Sequence, residues 1–406
     1  MALQPIRTLV LLRWRQRLFS LYVPVLLKAT CAGMVMLLVP FEANRLGGGP
    51  TAIGGVGAIW TGSYMVGLLL FGGRVDRFDP RLLVRMGLSV IAAMMFIISA
   101  APNLTVLFLA NAVYGMTSGL FWPPIMGWIS SGHEGPSLNR RLSLFNVSWS
   151  TGMMIGPLLG GWLYETYRVL PFYVGIAWLV AAIVIVTVIR SPEPTSAPGV
   201  EANGDDVDGV DVARNAVFRP MARIAHYLTY VIMGVFRFQL PSLAIFLGIR
   251  AKGFGPVQMS LSVAMALSFY LLGRSHRWHY RVSVFFAAQV LLILTVLALL
   301  MVGTWWQMAL CMIVGGACVG VTYSSNLFYG VSGGVRRARR MAIHELLLSA
   351  GMVTGSYGAG WITEHIALRA AYPICAALLV VGMLAQVTVF VRRRTAQPVV
   401  AASSSS

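Results

Sequence analysis

Charge is what this sequence has least of. Asp, Glu, Lys and Arg make up 11% of its 406 residues, against about 25% in ordinary soluble domains. The shortage falls mainly on one sign, with 13 acids against 31 bases and a net charge of +18. So few carboxylates leave no paired acids, and no convergent nucleophile or metal-ligand set stands out, so neither an enzyme nor a cofactor is expected. Cysteine is scarce as well. Cys31, Cys311, Cys318 and Cys375 all sit in apolar runs without His or carboxylate neighbours, which reads as packing and not as a metal site. The basic excess finds no basic-aromatic module outside those runs, so no nucleic-acid partner is expected. The N-terminus carries Arg7, Arg13, Arg15 and Arg17 but lacks the small-residue cleavage site of a signal peptide.

What the chain has is apolar length. It is 57% hydrophobic with a mean hydropathy of +0.75. A helix needs about 20 mainly apolar residues to cross a bilayer. About twelve runs qualify: 20–42, 51–72, 82–101, 104–130, 141–164, 170–190, 224–248, 257–273, 282–302, 305–329, 341–363 and 368–391. They are too long and continuous for barrel strands, which leaves helices as the way to satisfy the backbone in lipid. Arg45, Arg168, Arg250, Lys252 and Arg369 fall on one side, Lys28 and Arg237 fall within spans, and all other bases fall on the opposite side. That bias predicts a multi-pass inner-membrane protein with both termini in the cytoplasm and with lipid among its partners.

Residues 191–218 change character, with Pro192, Pro194 and Pro198 followed by Asp205, Asp206, Asp208 and Asp211. This predicts an acidic, Pro-rich cytoplasmic linker between an N-terminal bundle (1–190) and a C-terminal one (219–394), with a disordered tail at 395–406. Asp206-Val-Asp208-Gly209 hints at a calcium loop, but no Glu closes it at the required spacing.

The two halves repeat each other. Adding 199 maps Arg140-Arg141 onto Arg339-Arg340, Gly152-Met153 onto Gly351-Met352, Gly156 onto Gly355, Gly161-Trp162 onto Gly360-Trp361 and Glu165 onto Glu364. The first copy contains Gly152-x3-Gly156-Pro157-x2-Gly160-Gly161, and the second has Ser356 and Ala359 in place of Pro157 and Gly160. Between the second and third spans lies Gly72-x3-Asp76-Arg77, followed by Asp79-Pro80-Arg81. Asp79 suits a helix N-cap and Pro80 a first turn. In the fourth span, Trp122-Pro-Pro predicts a helix break.

Twelve spans in two parallel six-helix repeats around a long linker resemble the major facilitator superfamily of secondary transporters. The glycine–proline stretch on the fifth span is similar to that family's antiporter motif, which implies a tightly packed, leak-resistant helix. The loop with Gly72, Asp76, Arg77 and Arg81 is similar to the family's conformational latch. It departs from the pattern at Asp79 and Pro80, and the equivalent loop Gly273-Arg274-Ser-His276-Arg277 has no Asp. Proton-driven exporters of the family carry an arginine on the fourth helix where this chain has Asn111.

Ionisable groups inside spans are functional candidates because burying them costs several kcal/mol. Arg237, near the middle of the seventh span, has two readings: it binds an anionic group of the substrate, or it pairs with a carbonyl or with Glu345. Lys28 either joins it across the cavity or snorkels to the cytoplasmic surface. His344 and Glu345 form a candidate proton-coupling pair, set against a plain salt bridge between Glu345 and an arginine. Trp122, Asn146, Trp149, Tyr323 and Asn326 complete the cavity candidates, with Asn146 and Trp149 on one helix face.

The sequence therefore predicts an all-α membrane protein of about twelve transmembrane helices. It is expected to act as a monomeric secondary transporter that moves a small-molecule substrate by alternating access, as an exporter or antiporter using protons. The alternatives are organic-anion uptake and, from other classes, a lipid flippase or scramblase or a membrane-embedded enzyme.

Overall fold

The computed structural model describes residues 4–71, 78–131, 135–189, 212–275, 277–331 and 337–395. Among these, fourteen α-helices carry the architecture and there is no strand. The N-terminal half holds α1 (Gln4–Arg45), α2 (Pro50–Phe71), α3 (Pro80–Ser99), α4 (Leu104–Thr117), α5 (Trp122–Ser130), α6 (Gly135–Thr166) and α7 (Leu170–Val188). The C-terminal half holds α8 (Val212–Gly234), α9 (Leu240–Phe246), α10 (Ala251–Gly273), α11 (Val282–Ala298), α12 (Trp305–Val331), α13 (Arg337–His365) and α14 (Ala371–Thr395). Because α4–α5 and α8–α9 are each one broken span, the helices make twelve crossings. Nine spans among the described residues are long and apolar enough to cross a membrane on those criteria alone, and α11 is a shorter apolar helix.

Both breaks have local causes. The chain leaves α4 through a 3-10 turn, Ser118–Leu120, and re-enters helix at Trp122 with a proline in the first turn. This is the break that Trp122-Pro-Pro predicts. In the seventh span, α8 widens into a π-turn, Val235–Gln239, before α9 restarts with Pro241 in its first turn. A proline removes an N–H from the ladder, and a π-turn absorbs the misfit. The expected cap at Asp79 is present: its Oδ1 accepts the Arg81 N–H at 2.9 Å, with Pro80 in the first turn.

Within the N-terminal half α1 packs against α6 and α7, α2 against α4, and α3 against α7. The C-terminal half repeats the plan, with α8 against α13, α14 and α12, and α10 against α12. A reciprocal amide pair ties α11 to α14, with Gln289 Nε2 donating to Gln386 Oε1 at 3.0 Å and Gln386 Nε2 donating back at 2.8 Å. The halves meet where α2 lies on α13 and α6 lies on α10. Val180, Val184 and Val188 on α7 are exposed, as are Val380, Leu384, Val387 and Val391 on α14. Apolar side chains at helical spacing on the outside suit a lipid solvent.

Several boundaries differ from the sequence reading. Helix α1 starts at Gln4 and not near residue 20, α6 starts at Gly135, and α8 starts at Val212. Residues 212–218, assigned to the linker, are therefore helical. Arg214, Asn215 and Arg219 make that segment too polar for an apolar-run criterion, although a helix need not stop where the hydrocarbon does. The rest of the linker with its Asp206–Gly209 stretch, the tail from 396, and Gly72, Asp76 and Arg77 of the latch lie outside the described residues.

Candidate functional site

The broken fourth span builds the first part of the site. Lys28 on α1 is 1% exposed, so it does not snorkel. Its ammonium donates to Ser118 Oγ at 3.3 Å, on the 3-10 turn, and lies 4.2 Å from the Trp122 ring centroid. The Phe121 and Tyr114 rings follow at 5.6 and 5.9 Å. A buried cation therefore sits against ring faces that attract it electrostatically. The break matters because it turns Phe121 and Trp122 toward α1. Trp122 packs edge-on against Phe145 of α6, and Trp149 packs against the patch of Ala29, Ala32 and Met153 beside Lys28. Asn146, one turn from Trp149, is exposed. Asn111 does not reach this group: its Nδ2 donates to Val56 O at 2.6 Å and ties α4 to α2.

The π-turn builds the second part. Arg237 is 4% exposed and its Nη2 donates to Ser262 Oγ of α10 at 3.2 Å. Its partner is thus a hydroxyl and not Glu345. Gln258 donates to Phe236 O at 2.7 Å, capping a carbonyl that the widened turn leaves unpaired.

The third part joins α8, α12 and α13. His344 Nδ1 and Asn326 Nδ2 are 2.8 Å apart, and the His344 ring stacks on His226 at 4.4 Å. Tyr323 meets His344 edge-on at 4.9 Å, and Tyr230 lies 4.7 Å from His226. Among the described residues, neither ring nitrogen of His226 has a hydrogen-bond partner of normal geometry. Glu345 lies within electrostatic reach of Tyr230 and Tyr323, and of Tyr64 on α2 in the other half. The salt bridge expected between Glu345 and an arginine is not formed among the described side chains. Successive helical residues are about 100° apart, so the histidine turns toward α8 while the carboxylate points elsewhere, near tyrosines of both halves.

Of the residues singled out from sequence, the structure sets Lys28 beside Trp122 and Trp149, Arg237 on the π-turn, and Tyr323, Asn326 and His344 in one cluster next to Glu345; His226, Tyr64 and Tyr230 join them without having been singled out. A lone histidine and two isolated tyrosines carry no spacing signal, and only the packing of α8 on α13 and α2 on α13 brings them in.

Around this interior the glycine-rich helix has two jobs. A Cβ on Gly152 would strike Ala29 at 2.6 Å, and one on Gly156 would strike Thr30 O, so these glycines seat α6 on α1 of its own half. A Cβ on Gly161 would instead strike Ala251 O of α10, and one on Gly255 would stand 2.7 Å from Pro157 O, across the boundary between halves. The second copy does the same, with Gly355 against Val231 O of α8 and Gly360 against Pro50 O of α2. Close approaches of this kind seal one end of the interface, because backbone meets backbone with no room for water.

Residues 25–332 match the family described as Major Facilitator Superfamily. The chain is 25% identical over 211 residues to Multidrug resistance protein 1 of Bacillus subtilis (strain 168), covering 52% of each chain. It is also 25% identical over 188 residues to Quinolone resistance protein NorA of Staphylococcus aureus (strain MRSA252), covering 46% of this chain and 48% of the relative. The chain thus spans about half the length of the curated relatives it matches. Among solved structures, an inward-facing, unoccupied bacterial homologue of the human lysosomal transporter Spinster superposes with TM-score 0.71 at 14% identity, covering 94% of this chain and 97% of the other. The nucleoside transporter NupG gives TM-score 0.71 at 14% identity, with 92% and 99% covered. At that identity these two likenesses concern the fold alone.

Proposed function

The chain belongs to the major facilitator superfamily, and from that premise we propose that it exports a small organic solute across the plasma membrane by alternating access. The observation that carries this reading is the asymmetry of the interface. Among the described residues, the tight approaches between halves gather where α6 leaves Pro157 and Gly161 against α10, and where α13 leaves Gly360 against α2. The positive-inside bias makes that end the outer one. An outer seal over a polar, aromatic interior describes an inward-facing state, ready to load from the cytoplasm. The names of the multidrug and quinolone resistance relatives support the outward direction.

In this reading Lys28, Trp122, Trp149, Arg237 and Tyr323 contribute to the solute site, and Glu345 takes and releases the coupling proton. A carboxylate with no basic partner among the described side chains, near tyrosines of both halves, has the placement such a group needs. Flux of a fluorescent solute in proteoliposomes, with and without an imposed pH gradient, tests the whole. Gradient-driven export lost in Glu345→Gln, with counterflow retained, is the expected result. Flux that ignores the gradient overturns the proton role.

Organic-anion uptake is the second reading, favoured by a buried Arg237 with a neutral partner. Arg237→Ala separates the two: selective loss of anionic substrates supports uptake of anions, and unimpaired transport of all substrates removes it.

A further inference from the structure

The 199-residue offset that maps Glu165 onto Glu364 also maps Thr51 onto Arg250. These four residues meet crosswise. Glu364, at the end of α13, accepts the Thr51 N–H at 2.7 Å with its Oε2. Thr51 lies in the first turn of α2, in the other half. Glu165, at the end of α6, pairs with Arg250 at 3.7 Å, and Arg250 is the N-cap of α10, again in the other half. Each half thus sends one glutamate across the interface to the outer N-terminus of a helix in its partner half.

We propose that Glu165 and Glu364 form a two-fold-related outer latch that holds the halves closed on the outer side, with Glu364 as its stronger arm. A carboxylate at a helix N-terminus meets unpaired N–H groups and the positive end of the helix dipole. Glu364 uses that interaction directly, and Gly49 makes room for it, since a Cβ there would stand 3.0 Å from the carboxyl group. Glu165 reaches only a side chain, and the Arg250 side chain is 82% exposed, so solvent screens that arm. Both contacts require α2 beside α13 and α6 beside α10 at their outer ends, and both break when the halves part there. The latch is independent of which solute is carried and in which direction.

The test reads the gate itself. Spin labels at Tyr167→Cys and Met301→Cys, exposed positions in the outer connections of the two halves, report the outer separation by pulsed electron resonance on the purified full chain. Glu364→Gln is expected to raise the ratio of long to short distances about two- to fivefold, the effect of one charge at a helix end. Glu165→Gln is expected to raise it less, and the double variant to multiply the two. Thr51→Pro removes the N–H donor in a first turn that tolerates proline, and it leaves the glutamate in place. It is expected to reproduce Glu364→Gln and to add nothing to it. Unchanged distances in both Glu364→Gln and Thr51→Pro overturn the latch, as does full additivity between them. Because Thr51→Pro keeps Glu364, it decides the matter even where the Gln variant fails to fold. The distances do not depend on transport, so failure of the exporter reading and failure of the latch are distinguishable.

Discussion

Lys28 and Glu364 show how differently two charges can be held in one molecule. Lys28 is buried against Trp122, Phe121 and Tyr114 with one hydroxyl as its hydrogen-bond partner. Replacing a buried, unpaired charge by an apolar group of similar length is often neutral or stabilising. Lys28→Met is therefore expected to keep or raise the thermal midpoint while lowering solute flux at least tenfold. A midpoint several degrees lower would make Lys28 a structural residue. Glu364 is exposed, and its pKa follows from Thr51: the hydroxyl beside it, then the N–H bonded to it, hold the carboxyl below the usual carboxylate range. The hydroxyl is close without making an aligned bond of its own. The titratable group beside it on its own helix is His365, stacked on Trp361. A depressed pKa means that the contact is fully present above the unperturbed carboxylate value of about 4.3 and is lost as pH falls through the depressed one. Outer opening is thus expected to be flat from pH 8 to 5, to rise in stronger acid, and to lose that rise in Glu364→Gln.

At the scale of the element, α6 joins two packing problems in one helix. Gly152 and Gly156 admit α1 of the same half, and the Pro157 ring lies against Gly33 there, whereas Gly161 and the Pro157 carbonyl meet α10 of the other half. Substitutions along it should therefore separate into two kinds. Gly156→Leu drives a side chain into the α1 backbone and is expected to destabilise the N-terminal half by about 1–3 kcal/mol, the cost of overpacking. Thermal unfolding of the purified protein reads this directly. Gly161→Leu leaves that contact intact and forces α10 away, so the protein is expected to stay folded while proteoliposomes leak solute without a gradient. Equal loss of stability in both variants would refute the division. The antiporter-like glycine pattern was legible from spacing alone. That its glycines face two different partners was not, because faces are set by which helices lie alongside.

For the whole molecule the proposed inward-facing state predicts a sided accessibility. Asn146 is exposed on α6, one turn from the Trp149 that packs beside Lys28. With the outer ends of the halves in contact, Asn146→Cys is expected to react with a membrane-impermeant thiol reagent from the cytoplasmic face and to resist it from outside. Protection from both faces would place Asn146 against lipid.

The sequence by itself determined the class of molecule. Scarce charge, long apolar runs, sided arginines and a 199-residue repeat are properties of composition and order, and a bilayer leaves helices as the economical solution for such a chain. It also determined one helix break, at Trp122-Pro-Pro, whereas Pro24, Pro40, Pro157, Pro220 and Pro256 sit inside continuous helices. Only the tertiary structure decided what the buried charges meet. Lys28 found aromatic rings, Arg237 found Ser262, and His344 found His226 and Asn326, because those contacts join residues up to 118 positions apart. It also decided the crosswise meeting of Glu165 with Arg250 and of Glu364 with Thr51. A repeat in sequence records that two halves are alike, but not which ends of them touch, and that depends on the packing of one half against the other.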